Sequence, residues 1–113
     1  MALRTWLPAA LFLATCAPAM PASAAGDAGE GEKIAKQWCT SCHVVGRKPM
    51  ASDKAPAFSA LAADPAKSEG YLKAWISNPH PPMPNFNLSR QAIDDLVAYI
   101  RSLGEGSKAI KKR

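Results

Sequence analysis

Cys39-Thr40-Ser41-Cys42-His43 is the stretch on which the reading of this chain turns. Two cysteines separated by two residues and followed at once by a histidine form the C-x-x-C-H attachment signature of a c-type haem. The spacing has a chemical reason. Two thiols add across the two vinyl groups on one edge of a porphyrin, and two intervening residues let both reach it. The next residue is then placed to bring an imidazole beneath the iron, which makes His43 the candidate proximal ligand. Other uses of such a pair fit less well. A thioredoxin-like dithiol belongs beside a βαβ pattern, and no strand pattern is present. A zinc site needs four ligands, whereas beyond residue 25 only Cys39, Cys42, His43 and the distant His80 are available as cysteine or histidine. A plain disulfide across two residues leaves the long loops of the chain unexplained.

A second axial ligand has to come from elsewhere. The candidates are Met50, Met83 and His80. Met83 is favoured because it lies in Pro81-Pro82-Met83-Pro84-Asn85, where prolines hold a soft thioether with little backbone freedom. His80 reads as a solvated loop histidine, and Met50 follows Lys48-Pro49 in a polar stretch.

Around the motif the sequence predicts three helices and no strand. Asp27 caps the first, with Glu30 at capping-box spacing, and the helix runs through Gly31, Ile34, Ala35 and Trp38 into Cys39. Tyr71, Leu72, Trp75 and Ile76 mark the second, one apolar face that Asn78-Pro79 ends. Ser89 caps the third, whose stripe is Ile93, Leu96, Val97, Ile100 and Leu103. Asp94 and Asp95 lie near its positive end, and Gly104 is the expected stop. Residues 44–64 and 78–88 read as proline-rich loop. Three helices supply little core for a chain of 113 residues, and long loops of this kind usually serve a function. A bound group is expected to fill the centre.

Residues 1–24 stand apart from the fold. Arg4, the apolar run from Trp6 to Ala14, and Ala22-Ser23-Ala24 describe a secretory signal peptide. The run is too short for a membrane span, which needs about 20 apolar residues. Leu13-Ala14-Thr15-Cys16 has the outline of a lipoprotein box, so a lipid-anchored form through Cys16 is the alternative. Either route takes the chain out of the cytosol, to the periplasm. Residues 25–107 carry nine basic and nine acidic side chains, and four of the last six residues are basic. A neutral body with a basic tail at 108–113 is no nucleic-acid-binding surface. The tail is expected to be mobile, outside the folded domain of residues 25–107, and suited to electrostatic docking.

The chain resembles a small bacterial class I cytochrome c over about residues 27–104. The resemblance rests on C-T-S-C-H, Ala55-Pro56-Ala57-Phe58, Ala74-Trp75-Ile76 before a proline, Pro82-Met83-Pro84-Asn85, and Asp95-Leu96-Val97-Ala98-Tyr99-Ile100 in this order. It implies an all-α cytochrome c fold around one covalently bound haem c, with His43 and Met83 on the iron. It further implies that the Pro56 carbonyl accepts from His43 Nδ1 and that Trp75 donates to a haem propionate. Gly31 would lie at a close crossing of the first and last helices, opposite Leu96 and Tyr99. At Ala35 relatives generally carry a larger, often aromatic residue, and Trp38 or Phe86 is the candidate to fill that space. The function implied is single-electron transfer between redox partners, with no nucleophile–base pair, phosphate loop or carboxylate dyad for catalysis by the polypeptide. Two alternatives go with it: the haem subunit of a larger periplasmic oxidoreductase, and a haem ligand-binding or sensor protein with an open iron face.

Overall fold

A computed structural model describes residues 25–47, 54–78 and 80–111, with side chains up to residue 106. The signal segment with Cys16, the candidate Met50, Pro79, and Lys112 and Arg113 of the basic tail lie outside the described residues. Four helices follow one another: α1 (Ala28–Trp38), α2 (Phe58–Ala63), α3 (Glu69–Ser77) and α4 (Arg90–Lys111). Among the described residues no strand forms. The one β-type pairing is an isolated bridge between His80 and Met83.

Helix α1 starts where the sequence places it. The Asp27 carboxylate accepts from the backbone N–H groups of Gly29 (2.8 Å) and Glu30 (3.0 Å), satisfying donors that the helix itself leaves orphaned. The reciprocal arm of a capping box is absent here. Glu30 pairs with Lys33 at 2.6 Å, and the Asp27 N–H donates instead to Asp95 Oδ1 on α4 at 2.8 Å. Asp95 is only 7% exposed and also accepts from Gln91 Nε2 at 2.8 Å. A buried carboxylate thus fastens the start of one helix to the side of the other.

Helices α1 and α4 make the principal packing of the molecule. Gly31 is buried at their crossing. A Cβ there would fall inside the Asp95 carbonyl oxygen and 2.8 Å from Tyr99 Cβ. The backbone of Asp95 and the side chain of Tyr99 are the nearest neighbours that require glycine at this position. Below the crossing the α4 stripe of Ile93, Leu96, Val97, Ile100 and Leu103 is buried, together with Ala35, Phe58 and Leu72 from the other three helices. Ala35 is fully buried, while Trp38 and Phe86 meet each other near the surface with ring centroids 5.8 Å apart.

Two expectations about elements are corrected. Residues 58–63, read as loop, form α2. Six residues make no stable helix alone, and α2 stands because Phe58 is inserted into the core and its flank lies on α4. Gly104 does not stop the last helix, which starts as expected with the Ser89 hydroxyl accepting from Ala92 N–H at 3.1 Å and continues to Lys111. Gly104 is buried within it, where a Cβ would stand 2.9 Å from the Ala62 carbonyl oxygen. Its missing side chain serves the approach of α2, and residues 105–111 are helical.

Candidate haem site

The cysteine motif leaves α1 as a tight turn. Cys39 N–H donates to Ala35 O at 2.9 Å, closing the helix, and the Cys39 carbonyl then accepts from Cys42 N–H (3.3 Å) and His43 N–H (2.9 Å). The turn leaves the Cys39 side chain buried and Cys42 exposed, with no disulfide between them. Burial pushes the Cys39 thiol up to about 11. Among the described residues no three His, Cys, Asp or Glu side chains are grouped to hold a metal ion.

The three residues after Cys42 are each tied to another part of the fold. His43 Nδ1 lies 2.6 Å from the Pro56 carbonyl oxygen. Phe58 N–H donates to the Val44 carbonyl at 3.0 Å. The Tyr99 hydroxyl donates to the Val45 carbonyl at 2.6 Å. Since a carbonyl oxygen only accepts, Nδ1 carries the proton, which leaves Nε2 as the nitrogen whose lone pair a metal would take. That is the tautomer of a metal-ligating histidine whose other nitrogen is held by the protein. The Phe58 ring stands beside the imidazole, centroids 5.1 Å apart.

A second cluster forms where α3 ends. Asn78 closes the helix by donating from Nδ2 to Ala74 O at 2.6 Å. His80 Nδ1 donates to the Asn78 carbonyl at 3.0 Å, and the His80 ring lies against Trp75 with centroids 4.3 Å apart. Met83 N–H donates to His80 O at 2.8 Å, so Pro81 and Pro82, joined by a cis peptide, form a closed turn that carries Met83. Asn87, at φ 51°, bends the loop toward α4 with its N–H on Asn85 Oδ1.

The predicted apolar face of α3 divides. Leu72 is buried, but Trp75 is 50% exposed and stacks on exposed Tyr71, and Trp38 at the end of α1 is 45% exposed. Half-exposed aromatic rings leave about 2 kcal/mol of apolar burial apiece unused by the polypeptide. Two thiols with two residues between them, an imidazole held through Nδ1 by the Pro56 carbonyl, a thioether on a closed proline turn and unsatisfied aromatic surface together fit a haem attached through Cys39 and Cys42. What sequence reasoning did not supply is the Phe58 and Tyr99 anchoring of Val44 and Val45, because partners 14 and 54 residues away leave no local signal.

The cytochrome c family model matches residues 28–104, a span that runs from the first residue of α1 to the buried Gly104. The chain belongs to the cytochrome c family. It is 45% identical over 94 residues to cytochrome c-552 of Bradyrhizobium diazoefficiens, covering 82% of this chain and 89% of that protein. No solved structure matches it. With its single C-x-x-C-H motif, this is a monohaem electron-transfer cytochrome of the small bacterial class I type, all-α and carrying covalently attached haem c. Redox proteins are its partners. No helix among the described residues of the cytochrome is long and apolar enough to cross a membrane.

Proposed function

We propose that this cytochrome is exported to the periplasm and shuttles single electrons between a donor and an acceptor protein, without catalysing a reaction of its own. The observation that carries the reading is the 2.6 Å contact of His43 Nδ1 with the Pro56 carbonyl, which leaves Nε2 as the ligating nitrogen. When bound, haem c supplies the Fe(II)/Fe(III) couple. Cys39 and Cys42 would hold the group by thioether bonds, and His43 and Met83 would ligate its iron. The Pro56 carbonyl keeps the His43 ring in one orientation and raises its basicity as a ligand. Trp75, half-exposed beside the Met83 turn, is assigned the hydrogen bond to a propionate. With His43 and Met83 both on the iron, no position would remain open for substrate, which would separate a carrier from a sensor or peroxidase. A neutral thioether and burial both disfavour the extra charge of Fe(III), so a high potential for a haem is expected.

The basic residues of 108–113, on an otherwise neutral body, are assigned to steering toward an acidic partner. Met83→Ala is the direct test of the closed site. The weak long-wavelength sulfur-to-iron absorption of the oxidised protein should vanish, and cyanide and carbon monoxide should bind tightly. Unchanged spectra in Met83→Ala, with low-spin character lost in His80→Ala, would transfer the ligand role to His80.

A further inference from the structure

We infer that Tyr99 is a positioning residue for His43, acting through the carbonyl of Val45. The inference rests on the reading of His43 as an axial ligand and adds a determinant of the potential that lies on α4. Three consecutive residues are tied, each to a different anchor: the His43 ring to Pro56, the Val44 carbonyl to Phe58 N–H, and the Val45 carbonyl to the Tyr99 hydroxyl at 2.6 Å. The first two anchors lie at the entry to α2. Of the three, Tyr99 alone comes from α4, the helix on which α1, α2 and α3 all pack. It therefore ties the backbone behind His43 to the helix on which the other three pack.

Position matters here because the His43–Pro56 hydrogen bond joins two separate segments. Its length follows the spacing of residues 43–45 from 56–58, and its strength sets how much electron density the imidazole gives a metal. Tyr99 is buried, and burial first, then the Glu32 carboxylate, hold its phenol above the ordinary value. The hydroxyl accordingly remains a donor throughout the neutral range. Gly31 lets α1 approach Tyr99 Cβ closely, so the ring has little room to swing and the hydroxyl is aimed by packing. The competing account is that a buried tyrosine hydroxyl simply found an acceptor. On that account its loss lowers stability and leaves the imidazole unchanged.

The test uses the haem-loaded protein with Tyr99→Phe and, separately, with 3-fluorotyrosine at position 99, whose more acidic hydroxyl donates more strongly. Loosening the tether weakens the His43–Pro56 bond, lowers donation to Fe(III) and raises the potential. About a threefold shift toward the reduced form at fixed ambient potential is expected in Tyr99→Phe, or ~30 mV at 59 mV per tenfold for one electron. The His43 Nδ1–H should exchange faster with solvent. Fluorotyrosine should move both readouts the other way. If the melting temperature alone falls, with potential and Nδ1–H exchange unmoved in both variants, Tyr99 is structural and the inference is wrong. Should Tyr99→Phe fail to accumulate with haem, the fluorotyrosine variant decides. The axial-ligand reading fails separately, if His43→Gly keeps its six-coordinate low-spin spectrum.

Discussion

The two sides of this small molecule solve the problem of burial differently. Where α1 crosses α4, the polypeptide completes its own packing. Gly31 admits the Asp95 backbone, the Asp95 carboxylate holds the Asp27 N–H, and Ile100 and Val97 are essentially inaccessible to solvent. Around α3 and the proline turn it does not. Trp75 and Tyr71 stack on each other in the open, His80 leans on Trp75, and Trp38 meets Phe86 with nearly half its surface exposed. One side is finished by glycine and backbone contact. The other presents large rings with their apolar faces unspent, as a chain must if a flat, apolar prosthetic group is to complete it. In this reading haem c is the part of the core that the cytochrome does not encode in side chains.

The largest effect follows from withholding that part. A Cys39→Ala, Cys42→Ala chain should carry no haem after denaturation in acid and organic solvent, whereas the parent keeps it. It should also lose cooperative unfolding, with amide protection surviving mainly along Ile93–Leu103 and at α1. Protection of α3 equal to that of α4 in the haem-free chain would erase the contrast between the two sides.

Next in size is the self-packed side. Gly31→Ala places a methyl group on the Asp95 carbonyl, and α1 must lift away from α4. A loss of about 2–3 kcal/mol is expected in chemical denaturation of the haem-loaded form, the upper range for overpacking a close contact. Asp95→Leu removes the acceptor shared by Asp27 N–H and Gln91 Nε2. It should cost roughly 1–2 kcal/mol, because Asp27 N–H regains only part of its partner from water. Both variants should keep the axial-ligand spectrum. A ligand change in either would mean that the crossing and the haem side are one cooperative unit.

These differences mark where the sequence could be read. Asp27 and Ser89 are legible as caps because a cap is satisfied within three residues. The α4 stripe is legible because burial on one helix face has a period. The haem motif is legible because the cofactor dictates its spacing. What resisted reading depends on distant partners. Glu30 has capping-box spacing, but the N–H it should serve is taken by Asp95, 68 residues away. Gly104 carries the local signature of a helix end, yet it answers to the Ala62 backbone. Residues 58–63, introduced by Pro56, look like loop until Phe58 is seen in the core. Tyr71 and Trp75 have the spacing of a buried face, and only Leu72 is buried by protein. Their pattern is set by a surface that is absent from the amino-acid sequence.

The smallest expected effect lies at the far end of α4. Extending that helix to Lys111 gives the basic residues a role that a mobile tail would lack. Lys108 and Lys111 fall in its last turns, where positive charge offsets the negative end of the helix macrodipole for about 0.3–1 kcal/mol at low salt. Charge there could therefore serve the helix alone, and the steering proposal has to be separated from it. Removing residues 108–113 should fray the end of α4 and lower the melting temperature slightly, whichever account holds. Only steering slows electron transfer to an acidic redox partner, and only while salt is low, because screening shortens the reach of exposed charge to about 10 Å at 0.1 M. The expected result is a several-fold lower bimolecular rate for the truncated form at 10 mM salt, converging with the parent near 0.5 M. A rate that is equal at every ionic strength would assign the four basic residues to the helix end, and the partner would then have to dock on the side where Trp38 and Trp75 are exposed.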